Sequence, residues 1–114
     1  MLIYFEDTQF ASLVCWTLGN SYRYEKLYDN SFKDLIEGVQ YALKLSQGDI
    51  LSHAYSELGR IFAECGEWDS DRYYFECSLA NAKLLRDLEI EAMALGDLSV
   101  VFLFLGDYVY VLLC

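Results

Sequence analysis

Apolar residues return on one helical face at a fixed interval along the chain. Cys15, Leu18 and Tyr22 are spaced i, i+3 and i+7, which places them on the same side of an α-helix. The same spacing recurs about 40 and about 80 residues later, in Tyr55, Leu58 and Phe62 and in Leu95, Leu98 and Phe102. The pattern therefore predicts three copies of one helical unit.

The residue after each repeated Leu is small: Gly19, Gly59 or Ser99. Glycine costs about 1 kcal/mol in a helix interior, so its return at one position predicts that a neighbouring helix comes close there. Further on, Gly66 and Gly106 suit the left-handed position that ends a helix. Asn30 or Ser31 is predicted to cap the second helix of the first unit, and Asp69 or Ser70 is predicted to cap the second helix of the second unit.

A second helix follows the first in each unit. One apolar stripe runs through Phe32, Leu35, Ile36, Val39, Ala42 and Leu43, and a less regular one through Tyr73, Phe75, Leu79, Ala82 and Leu85. Gly38 and Ser78 supply a small residue on the inner face of each. The chain has no proline to interrupt a helix. We predict helices near residues 8–25, 30–46, 49–65, 69–86, 89–105 and 108–114.

These residues resemble the tetratricopeptide repeat, a helix–turn–helix unit with the pattern W-x₂-L-G-x₂-Y. The segment "YSELGRIFAECGEW" matches it best, with Tyr55 in place of the Trp, and Asp71 stands where the family usually has Ala. The interval exceeds the common 34 residues and is similar to the longer-repeat subclass of Pins/LGN-type scaffold proteins. The resemblance implies an all-α fold, an α-solenoid of about 2.5 repeats in a single domain spanning 1–114. Its repeats cover about 8–47, about 48–87 and, incompletely, about 88–114.

The resemblance also implies a concave groove lined by the first helix of each unit. It assigns peptide binding to Leu13, Trp16, Asn20, Arg23, Tyr24, His53, Ser56, Arg60, Val100 and Phe104. Asn20 and Arg60 correspond to positions that hold a peptide main chain or a terminal carboxylate, and they can equally be solvated surface residues. Trp16 and Tyr24 are aromatic anchors for a partner, unless Trp16 belongs to the core. The predicted function is a non-catalytic scaffold that binds a peptide or helix of a partner protein.

The last stretch, "LSVVFLFLGDYVYVLLC", is almost wholly apolar, whereas terminal units of a solenoid need a polar outer face. Three explanations remain open: the chain is a fragment of a longer array, its end pairs with a partner or a second copy, or it enters a membrane. Gly106 and Asp107 disfavour a membrane span because neither half reaches the ~20 residues needed. The alternative function is therefore a structural self-association module that dimerises through its apolar C-terminal helices, as a homo-oligomer.

Charge and cysteine usage restrict the partners further. The chain has 18 acidic and 8 basic residues and a net charge of −10, which argues against nucleic acid and anionic membrane surfaces. Cys15, Cys65, Cys77 and Cys114 form no C-x-x-C pair, so a zinc site is not expected. We expect reduced, mostly buried cysteines in a cytoplasmic protein.

The sequence contains no arrangement typical of an enzyme. No phosphate-binding glycine loop is present, and the neighbours Ser52 and His53 have no third group by spacing that would complete a triad. The acidic residues between Glu64 and Glu76 lack the glycine and the third ligand of a calcium loop, and they suit helix N-termini instead. We therefore predict no catalysis, no metal and no cofactor.

Overall fold

Five α-helices make up most of the part of the chain that the structure describes. The computed structural model describes residues 10–105, and of residues 104 and 105 only the backbone. The helices are α1 (Ala11–Tyr24), α2 (Tyr28–Lys44), α3 (Gly48–Glu64), α4 (Trp68–Leu85) and α5 (Leu88–Leu105). The all-α prediction is confirmed, and each of these helices begins and ends within three residues of its predicted bounds. The helix predicted near 108–114 and the turn predicted at Gly106 lie outside the described residues.

Short links with one left-handed residue connect the helices. Lys26, Ser46, Gly66 and Arg86 have φ values of 63°, 55°, 77° and 55°. After Lys26, the amide of Leu27 donates to the Tyr22 carbonyl at 2.9 Å, and after Gly66, the amide of Glu67 donates to the Phe62 carbonyl at 2.8 Å. Both hydrogen bonds close the end of the preceding helix. The left-handed prediction for Gly66 is therefore confirmed.

The predicted side-chain caps of α2 and α4 are wrong. The residues at the N-cap positions are Leu27 and Glu67, and neither makes a side-chain capping hydrogen bond. A single non-helical residue separates the left-handed residue from the next helix, so each helix begins before the residues that were expected to cap it. Asp87 does cap α5: its Oδ1 accepts hydrogen bonds from the amides of Glu89 and Ile90 at 3.1 and 3.2 Å.

The repeated glycines lie where two helices approach closely. A Cβ built on Gly19 would lie 2.5 Å from Cγ of Leu35, and one on Gly59 would lie 2.6 Å from Cε1 of Phe75. Both contacts join the first helix of a pair to the second, α1 to α2 and α3 to α4. The prediction that these small residues serve close packing is confirmed, because any side chain there would have to displace the neighbour.

The helices pack in two layers. Each helix contacts the next along the chain; in addition α1 contacts α3, and α3 contacts α5. One buried cluster lies mainly between α2 and α3, around Leu35 and Leu58, and a second lies between α4 and α5, around Phe75 and Leu98. This arrangement puts α1, α3 and α5 side by side, with α2 and α4 in the other layer.

The predicted apolar stripes of α2 and α4 are too wide. Their centres are buried as expected, at Leu35, Val39 and Ala42 and at Phe75, Leu79 and Ala82. Their margins are exposed, at Phe32, Leu43, Tyr73 and Leu85. Periodicity alone sets the direction of a stripe better than its width, because the width depends on how many helices pack against it.

Three cysteine thiols lie within residues 10–105, and all three are free. Cys15 is buried and Cys77 half-buried, but Cys65 is exposed, so the expectation of burial fails there. Burial, with the charges of Glu37 and Asp34, raises the pKa of the Cys15 thiol to about 11, which makes it a poor nucleophile. Within the same range of residues, no helix is long and apolar enough to cross a membrane.

Candidate functional site: an ion-pair ladder across the first helices

Arg23, in the last turn of α1, is a buried arginine. Its Nε donates to Glu57 Oε2 at 2.8 Å, and its Nη1 donates to Glu64 Oε1 at 3.2 Å, both across the contact with α3. Its Nη2 donates to Asn20 Oδ1 at 3.2 Å. Burial lowers the pKa of Arg23, but the carboxylates of Glu57 and Glu64 outweigh that effect and raise the pKa above its ordinary value. The guanidinium therefore stays charged although its side chain is only 8% exposed.

Glu57 also contacts Arg60, which in turn contacts Asp97 of α5. Its second oxygen accepts a hydrogen bond from Nη1 of Arg60, and Nη2 of Arg60 lies 3.5 Å from Asp97 Oδ2. We call the chain of polar contacts from Asn20 through Arg23, Glu57 and Arg60 to Asp97 the ion-pair ladder. It crosses α1, α3 and α5 in turn, and Glu57 at its centre is buried.

The ladder fixes the helices of one layer relative to one another. Breaking a buried ion pair by removing one partner typically costs 3–5 kcal/mol, because the remaining charge is left without compensation. The ladder also engages Nη1 and Nη2 of Arg60, a residue that the resemblance assigned to a ligand carboxylate. A ligand carboxylate would have to compete there with Glu57 and Asp97.

The structure divides the remaining predicted binding residues into three groups. Trp16 stacks on His53, with ring centroids 5.0 Å apart, and packs against the core cluster of α2 and α3. Ser56 is fully buried and shares a hydrogen bond with Ser78 of α4 at 3.0 Å, so its hydroxyl faces α4. The exposed members are Leu13, Tyr24 and Val100. The side chain of Phe104 lies outside the described part of the chain.

An acidic pocket beside His53 was not predicted from the sequence. It has a volume of about 460 Å³ and is lined by Asp49, His53, Asp87, Glu89, Ile90 and Met93. Asp49 and Glu89 lie in the first turns of α3 and α5, where carboxylates are favoured by the helix dipole. Asp49 and Glu89 are about 40 residues apart in the sequence, so the alignment of the repeats could have predicted that they lie near each other.

Asp71, in the first turn of α4, is a buried carboxyl within electrostatic reach of Asp97. Its side chain is fully buried, and neither oxygen has a hydrogen-bond partner among the described residues. At the matching position one repeat earlier, the Ser31 hydroxyl donates to the Gly19 carbonyl at 2.6 Å. Burial, and to a lesser degree the charge of Asp97, raise the pKa of Asp71 to about 7. Asp97 also has a raised pKa, because burial and Glu57 oppose the favourable effect of Arg60.

The residues that the structure describes offer little for other chemistry. No group of three His, Cys, Asp or Glu side chains among them could hold a metal ion. The carboxylates of the ladder are engaged by arginines, and the only histidine of the chain stacks on Trp16. What the arrangement provides is a row of helices with fixed spacing, exposed apolar side chains and an excess of negative charge.

Comparison with known proteins adds no relative to this description. No protein-family model matches the chain, and neither the curated proteins nor the solved structures contain a significant match.

Proposed function

We propose that the chain is a non-catalytic protein-interaction module that binds a basic peptide or helix of a partner along α1, α3 and α5. In this proposal the helix pairs form an α-solenoid of about 2.5 tetratricopeptide-like repeats, and the three first helices line its groove. The observation that carries the proposal is the charge of this surface: both of its ladder arginines are paired with carboxylates, and the pocket at His53 is lined by three further acids, Asp49, Asp87 and Glu89.

The charge of the surface favours a cationic ligand over an anionic one. Arg23, Lys26 and Arg60 pair with Glu57, Glu64 and Asp97, so these charges balance, and the negative excess of the surface comes from Asp49, Asp87 and Glu89 at the pocket. The net charge of −10 for the whole chain has the same sign and would steer a basic segment towards it. A carboxyl-terminal ligand, which the resemblance suggested for Asn20 and Arg60, fits this surface less well.

Apolar contacts would supply the affinity. Tyr24 is 71% exposed, and the guanidinium of Arg23 lies 4.6 Å from the centre of its ring, which holds the ring against α1. Leu13 and Val100 are exposed on α1 and α5. Aromatic residues often carry a large share of binding energy at protein interfaces, and a pre-positioned ring loses little entropy on binding. An amphipathic segment with both basic and apolar residues matches this combination.

Binding of model peptides tests the proposal. The probes are two fluorescein-labelled amphipathic peptides of about 16 residues, one of Leu and Lys and the other of Leu and Glu, so that only the sign of the charge differs. We expect fluorescence anisotropy to show saturable binding of the Lys peptide alone. The Asp49→Asn, Glu89→Gln double variant should bind it about tenfold more weakly, because two carboxylates at the pocket are lost.

The chain supplies a matched control. Asp29 and Asp69 are exposed acids in the first turns of α2 and α4, in the other layer. The Asp29→Asn, Asp69→Asn variant changes the net charge and the helix-dipole interactions to the same extent, and it should bind the Lys peptide as the native chain does. Equal weakening by both double variants, or equal binding of the two peptides, would contradict the proposed groove.

A further inference from the structure

One face of α5 is uncharged, mostly apolar and largely exposed among residues 10–105. We call Leu88, Ala92, Gly96, Ser99 and Leu103 the open face of α5; their spacing of four, four, three and four residues puts them on one side of the helix. Leu88 is 79% exposed and Leu103 is 48% exposed, and a Cβ on Gly96 would meet no atom within 4 Å. The opposite side of α5 packs against α4 through Ala94, Leu98, Val101 and Phe102.

The corresponding face of α3 is covered by α4 along most of its length. The matching residues, about 40 positions earlier, are Gly48, Ser52, Ser56, Gly59 and Ala63. A Cβ on Gly48 would touch Leu85, Ser52 and Ser56 form hydrogen bonds with Ser78, and Gly59 lies against Phe75. The open face of α5 therefore continues, in register, an interface that the fold already uses.

The pair α1 and α2 shows the same interface with different side chains. Gly19 lies against Leu35, and the backbone of α2 at Gly38 comes close to Cys15 and Trp16 of α1. In both pairs the covering helix runs antiparallel, and it brings a bulky residue followed three positions later by a small one. These are Leu35 and Gly38 in α2, and Phe75 and Ser78 in α4. The bulky residue fills the space above Gly19 or Gly59, and the small one allows the helix axes to approach.

Charge selects the orientation of an occupant. The first turn of α5 carries Glu89 and Glu91, and its last turn has no basic residue. The helices that cover α1 and α3 end in basic turns, with Lys44 in α2 and Lys83 in α4, so an antiparallel helix of the same kind brings a cation to the acidic end of α5.

We infer that the open face of α5 is a docking site for an antiparallel amphipathic helix of a partner protein that carries Leu or Phe three residues before Gly or Ser, and a basic last turn. The bulky residue of that helix packs over Ser99, the small residue lies against Gly96 and Ala92, and the basic turn reaches Glu89. This surface shares Glu89 with the pocket of the proposed groove, but its test uses Ala92 and Leu103, which do not line that pocket, so the two proposals can fail independently.

The probe for this site is a peptide with the sequence of α4, residues 68–85, acetylated, amidated and carrying Cys77→Ser. It contains Phe75, Ser78 and Lys83 in the required spacing. We expect the labelled peptide to bind the full chain in a saturable one-to-one manner. Phe75→Asp in the peptide, or Leu103→Asp or Ala92→Trp in the protein, should weaken binding at least about tenfold.

Leu84→Asp in the protein is the matched control, because Leu84 is 84% exposed on α4, away from the open face, and the same charge is introduced. This variant should bind the peptide as the native chain does, and circular dichroism should show that all variants remain helical. Absence of saturable binding, or equal binding by Leu103→Asp and the native chain, would overturn the inference. A dimer in light scattering that Leu103→Asp dissolves would assign the face to a second copy of the chain and overturn it too.

Discussion

Replacing Asp71 with Ser should make the protein more stable at neutral pH, although a buried charged residue is usually costly to mutate. The substitution copies Ser31, whose hydroxyl satisfies the Gly19 carbonyl at the matching position of the first helix pair. Asp71 has no such partner among the described residues. A buried carboxyl without a partner is expected to be destabilising whenever it must ionise.

The pKa of Asp71 gives the size and the pH range of this effect. Below the ordinary value of 3.8 the carboxyl is protonated in both states and its ionisation contributes nothing. Between 3.8 and about 7 the unfolded chain loses this proton while the folded chain keeps it, so the free energy of unfolding falls as the pH rises. Each pKa unit is worth about 1.4 kcal/mol, and the full shift therefore amounts to about 4 kcal/mol above pH 7. That is a large part of the stability of a small domain.

Urea denaturation of the native chain and of Asp71→Ser at a series of pH values between 4 and 8 measures this contribution. The difference between the two free energies of unfolding should grow towards about 4 kcal/mol at pH 8 and shrink towards pH 4. Asp34 and Asp97 also have raised pKa values, and both remain in the variant, so the comparison reports Asp71 together with its interaction with Asp97. Asp69→Ser, at an exposed acid of the same helix, is the control. A variant that is less stable than the native chain at pH 8, or has the same pH dependence, would refute the reasoning.

Five further substitutions test the ladder, the packing and one link by urea denaturation. Glu57→Gln should lower the free energy of unfolding by about 3 kcal/mol, because the buried guanidinium of Arg23 loses a carboxylate partner. Glu76→Gln, in an exposed pair, should cost less than about 0.5 kcal/mol, and equal costs would contradict the buried ladder. Gly59→Ala should cost about 1–3 kcal/mol through its clash, while Gly96→Ala, with open space around it, should gain about 1 kcal/mol in helix propensity. The same sign for both would be inconsistent with the described packing. Lys26→Gly should gain about 1 kcal/mol at its left-handed position, and a loss there would refute that backbone conformation.

The elements of the fold were predictable because their signals are local. One helix and its end contain all of the signals used for α3: the spacing of Leu58 and Phe62, the glycine between them and the left-handed residue Gly66. The cap predictions failed at the same scale, because α2 and α4 begin before the residues expected to cap them, and their N-cap residues Leu27 and Glu67 make no capping hydrogen bond. Exposed side chains such as Phe32 and Tyr73 could not be separated from core ones, because that distinction depends on which helices pack nearby.

The candidate site was less predictable because its contacts join residues far apart in the sequence. Arg23 is buried because Glu57 lies opposite, 34 positions further along the chain, and neither residue signals this on its own. Ser56 has the spacing of a groove residue, yet it meets Ser78 in the interface with α4. Asp71 could be aligned with Ser31 from the sequence, but the loss of the hydroxyl donor became visible only with the Ser31 contact. A resemblance does not fix the rotation of a helix to within one residue, so a residue such as Ser56 can be assigned to the groove although it faces α4.

The short links between the helices limit how such a chain can change its length. Three of the four links have three residues and the fourth has two, so the end of each helix sets the direction of the next. Because a helix turns by about 100° per residue, one inserted or deleted residue within a helix would swing all following side chains away from their neighbours. Tolerated length changes should therefore come as an entire helix pair rather than as single residues within a helix.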